Sequence, residues 1–122
     1  MESSHKGKSG VRRVWCAFHY SMAGLRAALV HEDAFRQESL LALVLVPVAL
    51  AIGGSGIGKA LMVASVLLVL VVELINSAIE ATVDRISLED HHLAKRAKDV
   101  GSAAVFISLV NVAIVWSLVL WA

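Results

Sequence analysis

Residues 60–80 read ALMVASVLLVLVVELINSAIE, a long apolar stretch that turns polar near its end. As an α-helix, residues 60–79 would span about 30 Å, the thickness of the hydrocarbon core of a bilayer. Glu73, Asn76 and Glu80 lie within this stretch. Because a charged side chain near the bilayer centre costs about 2.5–3.5 kcal/mol, the two carboxylates predict a functional site inside a membrane protein.

The composition of the whole chain supports this interpretation. Hydrophobic residues make up 58% of the 122 residues, and the mean hydropathy is +0.77, whereas soluble domains are about 45–50% apolar. At about 20 residues per membrane helix, the chain has room for about three spans. Because so small a bundle buries little polar machinery, we expect a closed homo-oligomer. The single cysteine, Cys16, excludes an internal disulfide, and a net charge of +1 gives no reason to expect a nucleic-acid partner.

The spacing of apolar residues predicts an all-α membrane protein with one surface helix and three spans. Trp15, Phe18 and Met22 recur at spacings of three and four while basic residues fall elsewhere, as in an amphipathic helix at a membrane interface. A helix packed on a soluble partner would show the same pattern. The predicted parts are a disordered basic tail at 1–10, a single membrane-embedded domain at 11–122, a surface helix at about 11–30, and spans at about 35–52, 60–82 and 99–121.

The distribution of basic residues predicts the orientation in the membrane. Arg12 and Arg13 precede the first span, and a predicted charged loop at 85–99 joins the second span to the third. The predicted turn at 53–58, which is rich in glycine, leads only to Lys59. The positive-inside rule therefore places the N-terminus and the charged loop in the cytosol. Trp116 and Trp121 are predicted interfacial anchors, and no cleavable signal peptide is evident.

The polar residues of the second span form a stripe suited to chemistry. Glu73, Asn76, Glu80 and Asp84 are spaced by three, four and four, so they share one helix face. Glu80, together with Glu32 near the same interface, suits a hard cation such as Mg²⁺, which proteins bind through one or two carboxylates plus substrate phosphates. Glu73 lies deeper, where it can serve as a general base.

Simpler interpretations remain for some of these residues. Glu73 could instead be a neutral carboxyl group that is hydrogen-bonded between helices of an oligomer, although such bonds are worth only about 0.6 kcal/mol. Lys98 and Asp99 open the third span, where Lys98 could neutralise phosphate charge. Lys95 and Arg96 could equally belong to a solvated loop whose charges only set topology.

Two familiar motifs are rejected. Residues 53–59, GGSGIGK, fit the spacing G-x-x-x-x-G-K, but Ala60 stands where a P-loop needs Ser or Thr to bind the metal. A turn between two spans is therefore expected. His91 and His92 are adjacent and lack the i, i+4 spacing of helical zinc ligands, so no zinc site is expected.

Four segments carry a resemblance to a known family. They read GLRAA at 24–28, AFRQE at 34–38, ELINSAIE at 73–80 and RAKDVGSAA at 96–104, with Glu32 and Asp84 between them. In these segments the chain resembles the prokaryotic diacylglycerol kinases, small trimeric membrane enzymes, and the resemblance covers residues 13–121. It implies a homotrimer with composite active sites that phosphorylates sn-1,2-diacylglycerol to phosphatidic acid with ATP and Mg²⁺, at the cytosolic face of a bacterial inner membrane.

The resemblance also implies roles for individual residues. Glu73 looks like the catalytic base, Asn76 like its support, and Glu32 and Glu80 like the magnesium ligands. The residues implied to surround ATP and its metal are Arg13, Tyr20, Glu32, Glu80, Glu89, Asp90, His91, Lys98 and Asp99. The residues implied to contact the lipid, besides Glu73 and Asn76, are Ala17, Phe18, His19, Tyr20, Ser21, Met22, Arg26, Ala27, Ala28, Leu29, Ala34, Phe35, Arg36, Gln37, Glu38 and Ser102.

Two other functions compete with this one. The first is the same chemistry on another lipid alcohol, undecaprenol, as in related members of the family. The second is a bundle without enzymatic activity in which Glu73 and Glu80 relay protons or ions. That function predicts proton flux without ATP turnover, and it leaves Lys98 and Asp99 unexplained.

Overall fold

The structure, a computed structural model, describes residues 10–86 and 91–122. Every regular element in these ranges is an α-helix: α1 (Gly10–His31), α2 (Asp33–Ile52), α3 (Gly56–Ile86) and α4 (His92–Trp121). Residues 1–9 of the predicted tail, together with Glu89 and Asp90 of the predicted nucleotide set, lie outside the described residues. The predicted all-α class is confirmed.

Three of these helices are long and apolar enough to cross a membrane, namely α2, α3 and α4. The 20 residues of α2 extend for about 30 Å, whereas the 31 residues of α3 extend for about 46 Å. A short turn joins α2 to α3, so the additional length of α3 lies at its C-terminal end. Asp84 and Arg85 are therefore helical but extend beyond the level at which α2 begins.

The turn between α2 and α3 is shorter than predicted. Gly54 has φ +70°, which a side chain would disfavour. The Ser55 hydroxyl oxygen accepts a hydrogen bond of 3.1 Å from the backbone N–H of Gly58. Because this is the geometry of an N-cap, α3 begins at Gly56, inside the predicted turn at 53–58.

The charged segment before the third span is also more helical than predicted. The N-cap of α4 is His91, whose Nδ1 accepts a hydrogen bond of 3.1 Å from the N–H of Leu93. The ring of His91 stacks on that of His92, with centroids 4.5 Å apart. Lys98 and Asp99 are consequently helical, and the prediction of a loop as far as Asp99 is wrong.

The interior is built around α3, which packs against both α2 and α4. Met62 is fully enclosed, and Ser65 lies beside it in the interior. The indole N–H of Trp116 donates to the Met62 carbonyl oxygen at 3.3 Å and to the Ser65 hydroxyl oxygen at 3.2 Å. The polar atom of Trp116 is thus turned toward α3, and its placement at the membrane interface stays a prediction.

Helix α1 is joined to α2 through the side chain of Arg36. Its guanidinium group donates to the carbonyl oxygens of Leu29 and Val30, at 2.9 and 2.8 Å, and also pairs with Asp33. These carbonyls belong to the last turn of α1, where no further helical N–H is available. Arg36, in the first turn of α2, thus caps the C-terminal end of α1.

Candidate active site

The deepest polar residues of the bundle are on α3. Glu73 is 5% exposed and Asn76 is 8% exposed, and both face the neighbouring helices. Their spacing of three residues places them on the same face, as the sequence predicted. Polar side chains within a spanning segment are expected to face the bundle interior, and these two do.

Glu38 of α2 is the direct neighbour of Glu73. Glu38 and Val69, which lies one turn before Glu73 on α3, line the same small cavity, and the carboxyl group of Glu38 interacts with that of Glu73. Oε2 of Glu38 is fully buried, and no hydrogen-bond partner reaches it from the protein groups that the structure describes. The sequence analysis placed Glu38 among the lipid contacts but did not bring it to the base.

Asn76 lies against α4 at Gly101. A methyl group at position 101 would overlap the Oδ1 atom of Asn76, so α4 can approach this closely only because residue 101 has no side chain. The same Oδ1 is buried without a hydrogen-bond partner among the described groups. Asn76 is therefore positioned by packing against a helix backbone.

Two ion pairs among the described residues lie where the end of α3 meets the start of α4. Nζ of Lys98 on α4 lies 2.6 Å from Oδ1 of Asp84 on α3, which links the two helices beyond Asn76 and Gly101. Nζ of Lys95 lies 2.7 Å from Oδ2 of Asp99 within α4. The structure thus places Lys98 and Asp84 next to each other at the end of the stripe that contains Glu73.

Glu32 lies in a different environment, between α1 and α2. Its side chain is half-buried and lines a cavity of about 730 Å³ that separates α1 from α3. From α3 this cavity is lined by Leu74, Ser77, Ala78 and Ala81, and Glu80 does not line it. Glu80 is half-buried on the adjacent face of α3, so the two predicted metal ligands do not share this cavity.

Apart from Glu38, Glu73 and Asn76, which are described above, the predicted lipid contacts fall into three groups. Ser21, Ala27 and Ala28 line the cavity between α1 and α3 together with Glu32. Phe35 is enclosed in the interior, and Arg36 is engaged at the end of α1. The remaining members are exposed in a single chain: Ala17, Phe18, His19, Tyr20, Met22, Arg26, Leu29, Ala34, Gln37 and Ser102.

Apart from the two predicted metal ligands, the described members of the predicted nucleotide set belong to α1 and α4. Arg13 and Tyr20 are exposed on α1, and His91 caps α4 at the charged end. Lys98 and Asp99 follow on the first two turns of α4. One chain therefore presents these side chains at the charged end of the bundle and along the surface helix.

Sequence reasoning missed three relationships at this site: the contact of Glu38 with Glu73, the ion pair of Asp84 with Lys98, and the packing of Asn76 against Gly101. Each depends on how two helices are aligned along their axes. The spacing of three and four residues from Glu73 to Asp84 did signal that these side chains share a face. No local pattern indicates which residue of α2 or α4 lies opposite.

A three-span α-helical bundle, with a buried glutamate beside a half-buried one and a charged end, defines a class of small integral membrane protein. Within that class, a family model described as prokaryotic diacylglycerol kinase matches residues 19–120. The chain is 52% identical to a diacylglycerol kinase of Pseudomonas aeruginosa over 118 residues, which cover 97% of this chain and 96% of that protein. It is 48% identical over 113 residues to a diacylglycerol kinase of Escherichia coli (strain K12), covering 93% of each. A diacylglycerol kinase of Haemophilus influenzae is 51% identical over 102 residues, covering 84% of this chain and 86% of that protein. The chain belongs to the prokaryotic diacylglycerol kinase family, which confirms the resemblance seen in the sequence.

Proposed function

We propose that this protein transfers the γ-phosphoryl group of ATP to the primary hydroxyl of sn-1,2-diacylglycerol and so forms phosphatidic acid. The observation that carries the proposal is the burial of Glu73 and Asn76 on the helix face that ends at the Asp84–Lys98 pair. A buried carboxylate within an apolar bundle suits a hydroxyl presented from the bilayer. A lysine at the charged end of the same face suits a phosphate presented from water.

In this mechanism the hydroxyl oxygen of the lipid attacks the γ-phosphorus in line, and Glu73 takes the hydroxyl proton. The bond from that phosphorus to the ADP oxygen breaks, and the electron pair leaves with ADP. Phosphoryl transfer depends mainly on positioning and on stabilisation of charge. Asn76, which packs against Gly101, lies one turn from Glu73 on the same helix face and would support the base from there.

Mg²⁺ would be held by Glu32 and Glu80. Carboxylate oxygens are its preferred protein ligands, and Mg²⁺ is usually bound by one or two of them together with substrate phosphates. When bound, the ion neutralises negative charge on the phosphates. Among the described residues no group of three or more His, Cys, Asp or Glu side chains is placed to hold a metal. Such a site accordingly needs oxygens from ATP or from a second copy of the chain.

We further propose that the enzyme is a homotrimer whose active sites combine residues of neighbouring copies. Glu32 lines the cavity between α1 and α3, whereas Glu80 lies on another face of α3. Large apolar side chains such as Phe106 and Ile107 of α4 are 66% exposed in a single chain, so lipid or a neighbouring copy must cover them. The N-terminus and the end where α3 meets α4 face the cytosol of a bacterial inner membrane, following the distribution of Lys and Arg.

The acyl part of the lipid substrate would lie in the cavity between α1 and α3. Its lining is mostly apolar, with Ser21, His31, Glu32 and Ser77 as polar members. Glu73 does not line this cavity, so the glycerol hydroxyl must extend beyond it to reach the base. An acyl chain contacts apolar walls well, while the glycerol end needs a few polar partners. The exposed aromatic residues of α1, Trp15 and Phe18, suit a helix that lies in the interface and covers this end of the lipid.

The test is a competition between lipid alcohols in mixed micelles that contain purified protein and γ-labelled ATP. We expect label in phosphatidic acid when diacylglycerol is present and little label when undecaprenol replaces it. Preferential labelling of undecaprenol would overturn the assigned substrate. If the protein instead conducts protons across liposome membranes and shows no lipid-dependent ATP turnover, it is the bundle without enzymatic activity.

A further inference from the structure

Glu38 and Glu73 form a pair of interacting carboxyl groups from two different spans, since Glu38 lines one small cavity together with Val69, one turn before Glu73 on α3. Glu73 is almost completely enclosed, and Oε2 of Glu38 is fully buried. The proposed mechanism uses Glu73 as the base and gives Glu38 no part in the chemistry. The pair therefore contains one acidic group whose presence beside the base is not yet explained.

The pair requires a hydrogen-bond donor. An ionised carboxylate can only accept hydrogen bonds. No donor among the described protein groups reaches Oε2 of Glu38, although buried polar atoms in native structures are nearly always paired. A proton on one of the two carboxyl groups supplies the missing donor and joins them by a hydrogen bond.

Charge leads to the same conclusion. Two ionised carboxylates side by side repel each other strongly in a buried site, so such pairs retain one proton between them. A nearby cation could relieve this repulsion, but residues 37–58, 60–84 and 99–122, which make up the membrane-spanning parts of α2, α3 and α4, contain no Lys or Arg. Asp33 and Arg36 at the start of α2 engage each other, and Lys98 engages Asp84. On α4 the residues after Asp99 carry no charge, so within the three spans of one chain a proton is the counter-charge available to the pair.

We propose that Glu38 is a positioning residue that shares a single proton with Glu73 and holds the Glu73 carboxylate in the orientation required of a base. This inference rests on the proposed function, because it assigns a task to a neighbour of the proposed base. In the resting pair Glu38 donates to one oxygen of Glu73 and leaves the other oxygen for the lipid hydroxyl. During transfer the hydroxyl proton passes to Glu73, so the pair holds two protons, and one is released to solvent before the next turnover.

The kinetic test compares Glu38→Leu, Glu38→Gln and the neighbouring control Ser39→Ala in mixed micelles. Glu38→Leu removes the donor, so we expect kcat to fall about tenfold or more, within the range of acid–base contributions, while KM for ATP changes less than about twofold. Glu38→Gln retains a donor in the form of its amide N–H, so it should restore most of the lost kcat. An unchanged kcat in Glu38→Leu would overturn the proposal. A rise in KM for diacylglycerol alone, in both variants, would show that Glu38 is only a lipid contact.

The pH profile separates positioning from mere packing. With two carboxyl groups, activity should rise as the pair loses its first proton and fall as it loses its last one. In Glu38→Gln the amide cannot lose a proton, so the fall at high pH should disappear while the rise at low pH remains. A profile identical to that of the wild type would contradict a shared proton.

Infrared spectroscopy of protein labelled with ¹³C-glutamate tests the proton without any turnover. In lipid nanodiscs near neutral pH, the wild type should show the carbonyl band of one neutral carboxyl group per chain, and Glu38→Gln should lack that band. Absence of the band from the wild type, or its full retention in Glu38→Gln, would overturn the inference. This result does not depend on the substrate, so a wild type that shows the band but phosphorylates no lipid would refute the proposed function and leave the shared proton intact.

Discussion

Lys98 of α4 reaches Asp84 of α3, with Nζ 2.6 Å from Oδ1. The cation that we assign to phosphate binding is thus already held by the helix that carries the base. The pair lies about three turns along α3 from Glu73, since eleven residues separate Glu73 from Asp84. This contact joins the proposed phosphate end of the site to the proposed lipid end through one continuous helix.

Asp84→Asn is expected to weaken the contact of Asp84 with Lys98 while preserving the shape of the side chain. Without the carboxylate, Lys98 is less restrained, so KM for ATP should rise about two- to fivefold, the scale of an exposed ion pair, with a smaller change in kcat. Steady-state kinetics with ATP as the varied substrate measure this. Lys95→Gln breaks the pair within α4 alone and is the matched control, for which a smaller change in KM is expected. Equal effects in the two variants would argue against a specific role for Asp84.

Gly101→Ala should destabilise the bundle. The added methyl group would overlap Oδ1 of Asn76, so either Asn76 must rotate or α3 and α4 must separate. Overpacking of this kind costs about 1–3 kcal/mol. Reversible unfolding in detergent micelles provides the free energy of unfolding, and activity should fall with it because Asn76 lies one turn from Glu73.

Gly24→Ala is the matched control for that experiment. A methyl group at position 24 meets no atom within 4 Å in this chain. Since alanine has the better helix propensity, this variant should be neutral or more stable by about 0.5–1 kcal/mol. A loss of stability in Gly101→Ala no larger than that in Gly24→Ala would mean that α4 does not approach Asn76 as described.

Arg36→Ala should release the surface helix from the first span. The substitution removes the hydrogen bonds to Leu29 and Val30, and because Arg36 is exposed the expected cost is about 0.5–1.5 kcal/mol. Hydrogen exchange should increase in the last turn of α1 and change little in α3. Arg36→Lys keeps the charge but cannot reproduce the planar fork of donors, so it should restore exchange protection only in part. If Arg36→Ala leaves exchange at the end of α1 unchanged, Arg36 does not join the helices.

The helices were predictable from sequence because their apolar residues recur with helical period over long runs. The face shared by Glu73 and Asn76 was predictable for the same reason. The start of α4 was missed because a segment rich in charged residues resembles a loop, and its cap is a histidine, His91, which is not among the favoured N-cap residues. The orientation of the Trp116 indole toward α3 was not predicted because its hydrogen-bond partner, the Met62 carbonyl oxygen, belongs to another helix.

The pairing of Glu38 with Glu73 shows where such reasoning stops. The register of α2 against α3 depends on the length of the turn between them, and Ser55 shortens that turn by starting α3 at Gly56. A spacing pattern in one helix carries no information about that register. The contact between the two carboxyl groups therefore emerged only from the packed structure.

Glu73→Gln tests most directly whether Glu73 is the base for phosphorylation of a lipid hydroxyl. The amide nearly preserves the shape of the side chain but cannot accept the proton. Transfer of label from γ-labelled ATP to diacylglycerol should fall about 10²–10⁴-fold, the range of a general base, with little change in KM for ATP. Ser108→Ala is a suitable control, because it removes another buried polar group, whose hydroxyl donates to the Val105 carbonyl within α4.

Two further measurements complete this test. The oligomeric state of Glu73→Gln in detergent must match that of the wild type, so that the loss reports chemistry and not assembly. Glu80→Gln should instead shift the Mg²⁺ titration to higher concentrations, in keeping with a ligand. The decisive measurement is the initial rate at which diacylglycerol is labelled by correctly assembled Glu73→Gln. We expect a rate reduced at least a hundredfold, on the order expected for a lost base; a rate close to that of the wild type would show that Glu73 is not the base.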